Sequence, residues 1–209
     1  MIPFIGDYYL SDQHKKMLLV GESFYFPKAS TIHKNATQWY NSTQNDLHDV
    51  FEDGEIVKEI DWINCDGLLR CDWKSKGHTI YKNLNASIGN AFSSYTLRPM
   101  DEIAYTNFFV RPALKGLSIS KYKKKERITD IGKANNVLES VLNVLNPDIT
   151  LFVSKYAYKN VDLNIINQYK NMFVNFVCHP ASAWWYRSDC IHNREYFAYV
   201  LNEKFINKL

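Results

Sequence analysis

The sequence predicts an α/β fold: a three-layer α/β/α sandwich around a central, four-stranded parallel sheet. Three observations carry this. Four short apolar runs are spread along the chain, they lack the alternation of a half-exposed sheet, and segments between them show helical apolar spacing. With 209 residues the chain is long enough to bury a core in one domain. It has no internal repeat, low-complexity tract or Pro/Gly/Ser linker, so residues 1–209 are expected to form a single domain.

The strands are expected as follows. Residues 17–20 (Met-Leu-Leu-Val) run into Gly21. Residues 102–106 lead into Asn107-Phe-Phe-Val110 and stop at Arg111-Pro112. Residues 148–153 follow the turn signal Asn146-Pro147. Residues 172–177 end at Cys178-His179-Pro180. Their Val, Leu, Ile and Phe content suits strands covered on both faces.

Helices are expected between them. Residues 78–92 place Ile80, Leu84, Ile88 and Phe92 on one face. Residues 129–145 carry the longest stripe: Ile131, Ala134, Val137, Leu138, Val141, Leu142 and Leu145. Residues 161–169 form a short candidate, and 190–205 close the chain with Tyr196, Phe197, Val200 and Leu201. Residues 31–49 are polar and only weakly helical in pattern. Residues 54–77, with Trp62, Cys65, Cys71 and Trp73 among polar neighbours, read as an insertion placed to cover a site.

Composition excludes some classes. At 46% hydrophobic and 22% charged, the chain is too apolar for disorder. No run approaches the ~20 apolar residues of a membrane span. The N-terminus lacks a basic segment followed by an apolar one, so a cytoplasmic protein without membrane contact is expected. The four cysteines form no Cys-x-x-Cys pair and match no zinc spacing; free thiols and no metal are expected. A net charge of +3 neither requires nor excludes nucleic acid. The aromatic share, 15%, serves either a rich core or surfaces on which bases stack.

In open α/β sheets, ligands bind at the carboxyl ends of the strands. The first expected strand ends Gly21-Glu22-Ser23-Phe24-Tyr25, the second carries Thr106-Asn107, and the fourth ends His179-Pro180-Ala181-Ser182. A carboxylate, an amide and an imidazole would thus meet on one rim. Taken singly, each has an ordinary role: a helix-start acid, a turn former, a loop histidine.

The order of these pieces resembles the uracil-DNA glycosylase superfamily, over nearly the whole chain from Leu18 to Ser182. The matching segments are Leu18-Leu-Val-Gly-Glu-Ser23, Tyr105-Thr-Asn-Phe-Phe-Val-Arg-Pro112, Leu145-Asn-Pro-Asp-Ile-Thr-Leu-Phe-Val153 and Cys178-His-Pro-Ala-Ser182. The first three look most like the Gly-Glu branch, whose members carry an iron–sulfur cluster. The resemblance implies DNA as partner and hydrolysis of the N-glycosidic bond of a flipped uracil, or of a related deaminated base. Asn107 would pair with the uracil edge, and Tyr25 would fill the space of a 5-methyl group. His179 would donate to O2 of the leaving base. Glu22 would orient a water or stabilise the cationic sugar. Phe26 and Trp39 are both open as the stacking aromatic.

Departures from the family pattern are specific. Ser23 stands where the best-known branch has a water-activating Asp. Val110 stands where the Gly-Glu branch has a cluster-ligating Cys, and that branch's N-terminal cysteine pair is missing, so no cofactor is expected. Pro27 comes later than the usual Pro, and Ala181 replaces a usual Ser, with Ser182 next. After Ser182 come Ala183-Trp184-Trp185-Tyr186-Arg187. In the superfamily this loop enters the minor groove, so Ser182, Trp184, Trp185 and Arg187 would contact DNA; alternatively the tryptophans pack against the final helix. Residues 121–127 (Lys-Tyr-Lys-Lys-Lys-Glu-Arg) either bind phosphates or form a solvated loop. The other functional class left open is a non-catalytic relative that binds nucleic acid or a free base in the same pocket. An unrelated hydrolase using Glu22 and His179 is a third. Oligomeric state has no signature in the sequence.

Overall fold

The computed structural model describes residues 3–26, 29–52, 55–58, 61, 63–72, 78–92, 98–114 and 117–206. The sequence readings at Pro27, Trp62 and Trp73, and both ends of the 54–77 segment, lie outside these.

The protein is α/β. Nine strands are described: β1 (Phe4–Ile5), β2 (Met17–Gly21), β3 (Tyr25–Phe26), β4 (Asp49–Glu52), β5 (Glu55–Lys58), β6 (Ala104–Asn107), β7 (Ala113–Leu114), β8 (Ile149–Phe152) and β9 (Phe173–Phe176). The helices are α1 (Ala36–Asn41), α2 (Cys65–Gly67), α3 (Thr79–Ala91), α4 (Lys124–Leu145), α5 (Lys155–Lys159), α6 (Leu163–Ile166) and α7 (Arg194–Val200).

The central sheet has five strands in the order β1-β6-β2-β8-β9. The four expected strands are all present and parallel to one another. The expected four-stranded parallel sheet is corrected by β1, which pairs antiparallel with β6 through Phe4 opposite Tyr105 and Ile5 opposite Ala104. Two residues are too few to show a period, so this edge strand left no pattern to read. Phe4 is nevertheless fully buried.

Every residue of β2, β6 and β8 is buried, which explains why none alternates between an apolar and an exposed polar face; the polar Thr106, Asn107 and Thr150 are buried with the rest. Odd-numbered Leu19, Tyr105, Ile149 and Leu151 face one core with α3 and α7, contributed by Leu84, Ile88, Phe197 and Val200. Leu18, Val20 and Phe152 face another with α4, through Ala134, Leu138, Val141 and Leu142.

Helix α4 begins at Lys124, earlier than its apolar stripe. It ends at Asn146, which adopts the left-handed conformation (φ 41°) while its N–H bonds back to Leu142 O at 2.8 Å. Pro147 prevents continuation, and Asp148 Oδ2 then accepts the Lys16 N–H at 2.9 Å, setting the start of β8 beside β2. The expected closing helix over 190–205 starts later, at Arg194, where Asn193 caps α7 by accepting the Glu195 and Tyr196 N–H groups, and α7 continues into a wider turn over Leu201–Phe205. The expected helix at 161–169 shortens to α6. The polar 31–49 segment yields only short helical pieces around α1.

Within 54–77, β5 pairs antiparallel with β4 as a two-stranded ribbon. Cys65 and Leu69 are buried in the core beside α3, so part of this segment packs as core rather than as a cover. At the far edge of the sheet, Phe173 and Val177 send their N–H groups to β8-side carbonyls of Asp148 and Phe152. The alternate Phe176 N–H points away and is accepted by Asn175 Oδ1 at 2.8 Å, while Asn175 Nδ2 donates to Tyr196 Oη at 2.6 Å. Among the described residues, no helix is long and apolar enough to cross a membrane.

Candidate active site

The parallel register fixes the rim. Gly21, the last residue of β2, pairs with Asn107, the last residue of β6. The chain beyond them stays together: Phe108 N–H bonds to Gly21 O at 3.0 Å and Phe109 N–H to Glu22 O at 2.8 Å. Glu22 therefore leaves the sheet beside Asn107. Ser154 follows β8 on the same rim, and His179 follows β9.

Glu22 is clamped. Its Oε1 accepts from Ser118 Oγ at 2.7 Å and its Oε2 from Ser154 Oγ at 2.9 Å. Ser154 also caps α5 by accepting the Ala157 N–H. Two hydroxyl donors on separate elements hold both carboxylate oxygens in a fixed orientation.

Asn107 is buried, and its Oδ1 accepts from Tyr105 Oη at 3.3 Å. The space for this pair is supplied by Gly21: a Cβ there would collide with both Tyr105 Oη and Asn107 Oδ1. Tyr25, 40% exposed, lies close enough to Glu22 for the carboxylate to raise its phenol pKa, although burial is the larger cause. It is also felt by Tyr105, whose phenol is held well above its ordinary value chiefly by burial. Tyr25 thus lies within electrostatic reach of both Glu22 and Tyr105.

His179 Nδ1 accepts the Ala181 N–H at 3.2 Å. The neutral ring therefore carries its proton on Nε2. Burial lowers the imidazole pKa, and the Glu22 carboxylate opposes this more weakly, so the neutral form is favoured. The loop is pinned by Ser182, whose N–H and Oγ both bond to His179 O at 2.8 and 2.7 Å, and by Asn83 of α3, which donates to Pro180 O at 2.7 Å.

The tryptophans separate. Trp184 is 54% exposed, with the Arg187 guanidinium 4.4 Å from its ring centre. Trp185 is buried against Phe197 and so does not offer a surface for DNA; its indole completes the α7 core. Tyr186, not singled out in the sequence, is the second exposed ring. Arg187 is paired with Asp189 through two hydrogen bonds. Phe26 is fully buried, edge-on to Trp39 and His33, and so presents no free face for stacking.

No family model and no characterised protein matches the sequence.

The Arg111-Pro112 pair proves architectural. Arg111 is fully buried, bonds Asp130 through Nε and Nη2 at 2.9 and 2.6 Å, and donates to His33 O at 2.8 Å. Tyr40 Oη donates to the same Asp130 at 2.9 Å, and the Tyr122 ring lies 4.5 Å from the guanidinium. This network joins α1, α4 and the loop after β6 beneath the rim. Lys121, Lys123, Lys124 and Lys125 are exposed at the start of α4.

Ser118, Ser154, Tyr105 and Gly21 are the rim residues that sequence reasoning missed. Ser154 had a signal: it directly follows an apolar run, where the other three rim groups were found. Ser118 had none, since its position depends on the fold of the preceding loop. Among the described residues, no group of three or more His, Cys, Asp or Glu could hold a metal. A groove of about 640 Å³ lies elsewhere, along α4 and α6, lined by Asn135, Asn160 and Asp162 among others.

Proposed function

We propose that this protein is a hydrolase of the uracil-DNA glycosylase type, which cleaves the N-glycosidic bond of uracil or a related deaminated base in DNA. The helices on both faces of the sheet support the three-layer α/β/α arrangement that this reading implies.

The observation that carries the proposal is that Glu22, clamped by Ser118 and Ser154, leaves the sheet beside Asn107 on the rim where His179, whose imidazole feels the Glu22 carboxylate, follows β9. In the proposed reaction the C1′–N1 bond breaks and its electron pair passes to the uracil, where charge gathers on O2. Neutral His179, with Nδ1 occupied by Ala181, presents Nε2–H as the donor to that oxygen. The clamped Glu22 carboxylate stabilises the positive charge left on the sugar and accepts a hydrogen bond from the incoming water. The water oxygen bonds to C1′, its proton passes to solvent, and the uracil anion takes up a proton after release. Asn107 offers one amide donor and one acceptor, matching O4 and N3–H of uracil and mismatching cytosine. Trp184 and Tyr186 supply exposed rings beside the His179 loop to fill the gap left by an extruded base.

Purified protein incubated with a uracil-containing oligonucleotide should leave alkali-labile sites at uracil, and Glu22→Gln and His179→Ala should slow their formation. Intact strands after prolonged incubation with uracil and hypoxanthine substrates would reject a glycosylase. Tight binding of uracil DNA without base release would instead favour a non-catalytic relative, with Ser23 the first position to restore to Asp.

A further inference from the structure

The Sγ atoms of Cys178 and Cys190 lie 2.6 Å apart at the base of the loop that carries His179, Ser182, Trp184 and Arg187. Both cysteines are free and only partly buried. The two ends of the loop are already held: Cys178 N–H bonds to His192 O at 2.6 Å through the backbone, and the Asn193 side chain donates through Nδ2 to Arg187 O at 2.9 Å. The sulfurs therefore face each other across a fixed neck, as bond formation requires. Cys65, by contrast, is enclosed in the core.

We infer that Cys178 and Cys190 form a reversible dithiol–disulfide pair that locks this loop when a hydroperoxide oxidises it. The pair is independent of the glycosylase reading, since it is defined by thiol chemistry alone. Burial and the neighbouring sulfur push the Cys178 thiol up; the steps are equivalent from either sulfur, here Cys190. Its thiolate takes the distal peroxide oxygen, the O–O bond breaks, and a sulfenic acid and water form. Cys178 sulfur then displaces hydroxide from that sulfenic acid, and its own proton combines with the hydroxide as a second water. The balance is two thiols and one hydrogen peroxide giving one disulfide and two waters.

The bond would close a ring of thirteen residues, 178–190, around His179 and the exposed aromatic step. Such a cross-link removes entropy from the unfolded chain and lowers its unfolding equilibrium constant on the order of 100-fold. It also restricts opening of the loop itself.

Purified full-length protein should be treated with hydrogen peroxide, quenched, and mapped by mass spectrometry without reduction. The expected product is an intramolecular Cys178–Cys190 peptide pair lacking two hydrogens, restored by dithiothreitol. Amide exchange across 180–189 should slow on the order of tenfold in the oxidised form. Cys190→Ser and Cys178→Ser should each abolish both effects; the wild-type map stands without them should either variant fold poorly. Sulfinic acid on either residue, an intermolecular bridge, or a bond to Cys65 or Cys71 would overturn the inference. So would unchanged exchange across the loop after the bond has formed.

Discussion

Gly21 and Asn107 are register partners at the rim, and a Cβ on the first would occupy the position of the second's Oδ1. Gly21→Ala should therefore displace both Asn107 and Tyr105. Overpacking of this kind costs about 1–3 kcal/mol, readable as a lower midpoint in urea at unchanged slope. If the proposed reaction is correct, the variant should also lose uracil release more than DNA affinity.

Arg111 and Asp130 form a buried ion pair with no exposed surface on either side chain. Removing one partner leaves an uncompensated charge, so Asp130→Ala should cost about 3–5 kcal/mol. The double change Arg111→Met with Asp130→Leu should recover much of this, because the charges then disappear together. Denaturation of all three proteins checks the order; equal loss in the single and double variants would mean that packing, rather than charge, dominates.

His33 is buried, with the Arg111 guanidinium on its carbonyl, and its pKa is lowered from the ordinary 6.5 to about 4, first by burial and then by Arg111 and Lys34. Above pH 6.5 the ring is neutral in both folded and unfolded chains, and its neutral state contributes no pH dependence. Between 6.5 and 4 the unfolded chain binds a proton that the folded one refuses. Stability should then fall as pH falls, and this contribution should level off below pH 4. His33→Gln should flatten that part of the pH–stability curve. His179, also lowered by burial, contributes with the same sign.

Three rim variants separate the proposed roles. His179→Ala should slow base release on the order of 10²–10³-fold with little change in DNA affinity. Asn107→Asp should weaken uracil selection and admit cytosine when the acid is protonated. Trp184→Ala should weaken binding to duplex more than to single strands, which need no wedge. Rate and affinity measurements on matched duplex and single-stranded oligonucleotides distinguish them; equal behaviour of all three would identify packing residues rather than a site.

Much of the scaffold was readable because buried strands announce themselves as apolar runs: β8 and the half-buried β9 lie within the expected segments, and β2 and β6 each run one residue past theirs, to Gly21 and Asn107. The long stripe of α4 was readable for the same reason. β1 was not, since Phe4–Ile5 is too short to carry a period, and its burial comes from pairing with β6. At the rim, Glu22, Asn107 and His179 could be nominated because each follows or ends an apolar run. Their environment could not. Whether a histidine's proton sits on Nε2 depends on the Ala181 N–H, and whether Trp184 or Trp185 is the exposed ring depends on how one short helical turn meets Phe197. Arg111, part of a motif quoted for its family likeness, anchors α4 directly through Asp130, which Tyr40 of α1 also bonds, a role that its place in the sequence did not announce.

The amide of Asn175 bears on how copies of this protein behave in a crowded solution. β9 is an outer strand, and outer strands invite polymerisation by offering unused backbone donors to another chain. Here the donor nearest the rim, Phe176 N–H, is taken by the chain's own side chain, which Tyr196 in turn holds in place. On the opposite margin, β1 runs antiparallel to β6 and covers its first two residues, and the Ile5 carbonyl is itself taken by Arg70 Nη2 at 3.0 Å. A single amide and two antiparallel residues thus act as stoppers at the two margins of the sheet, discouraging fibre-like stacking without any bulk being added to the rim.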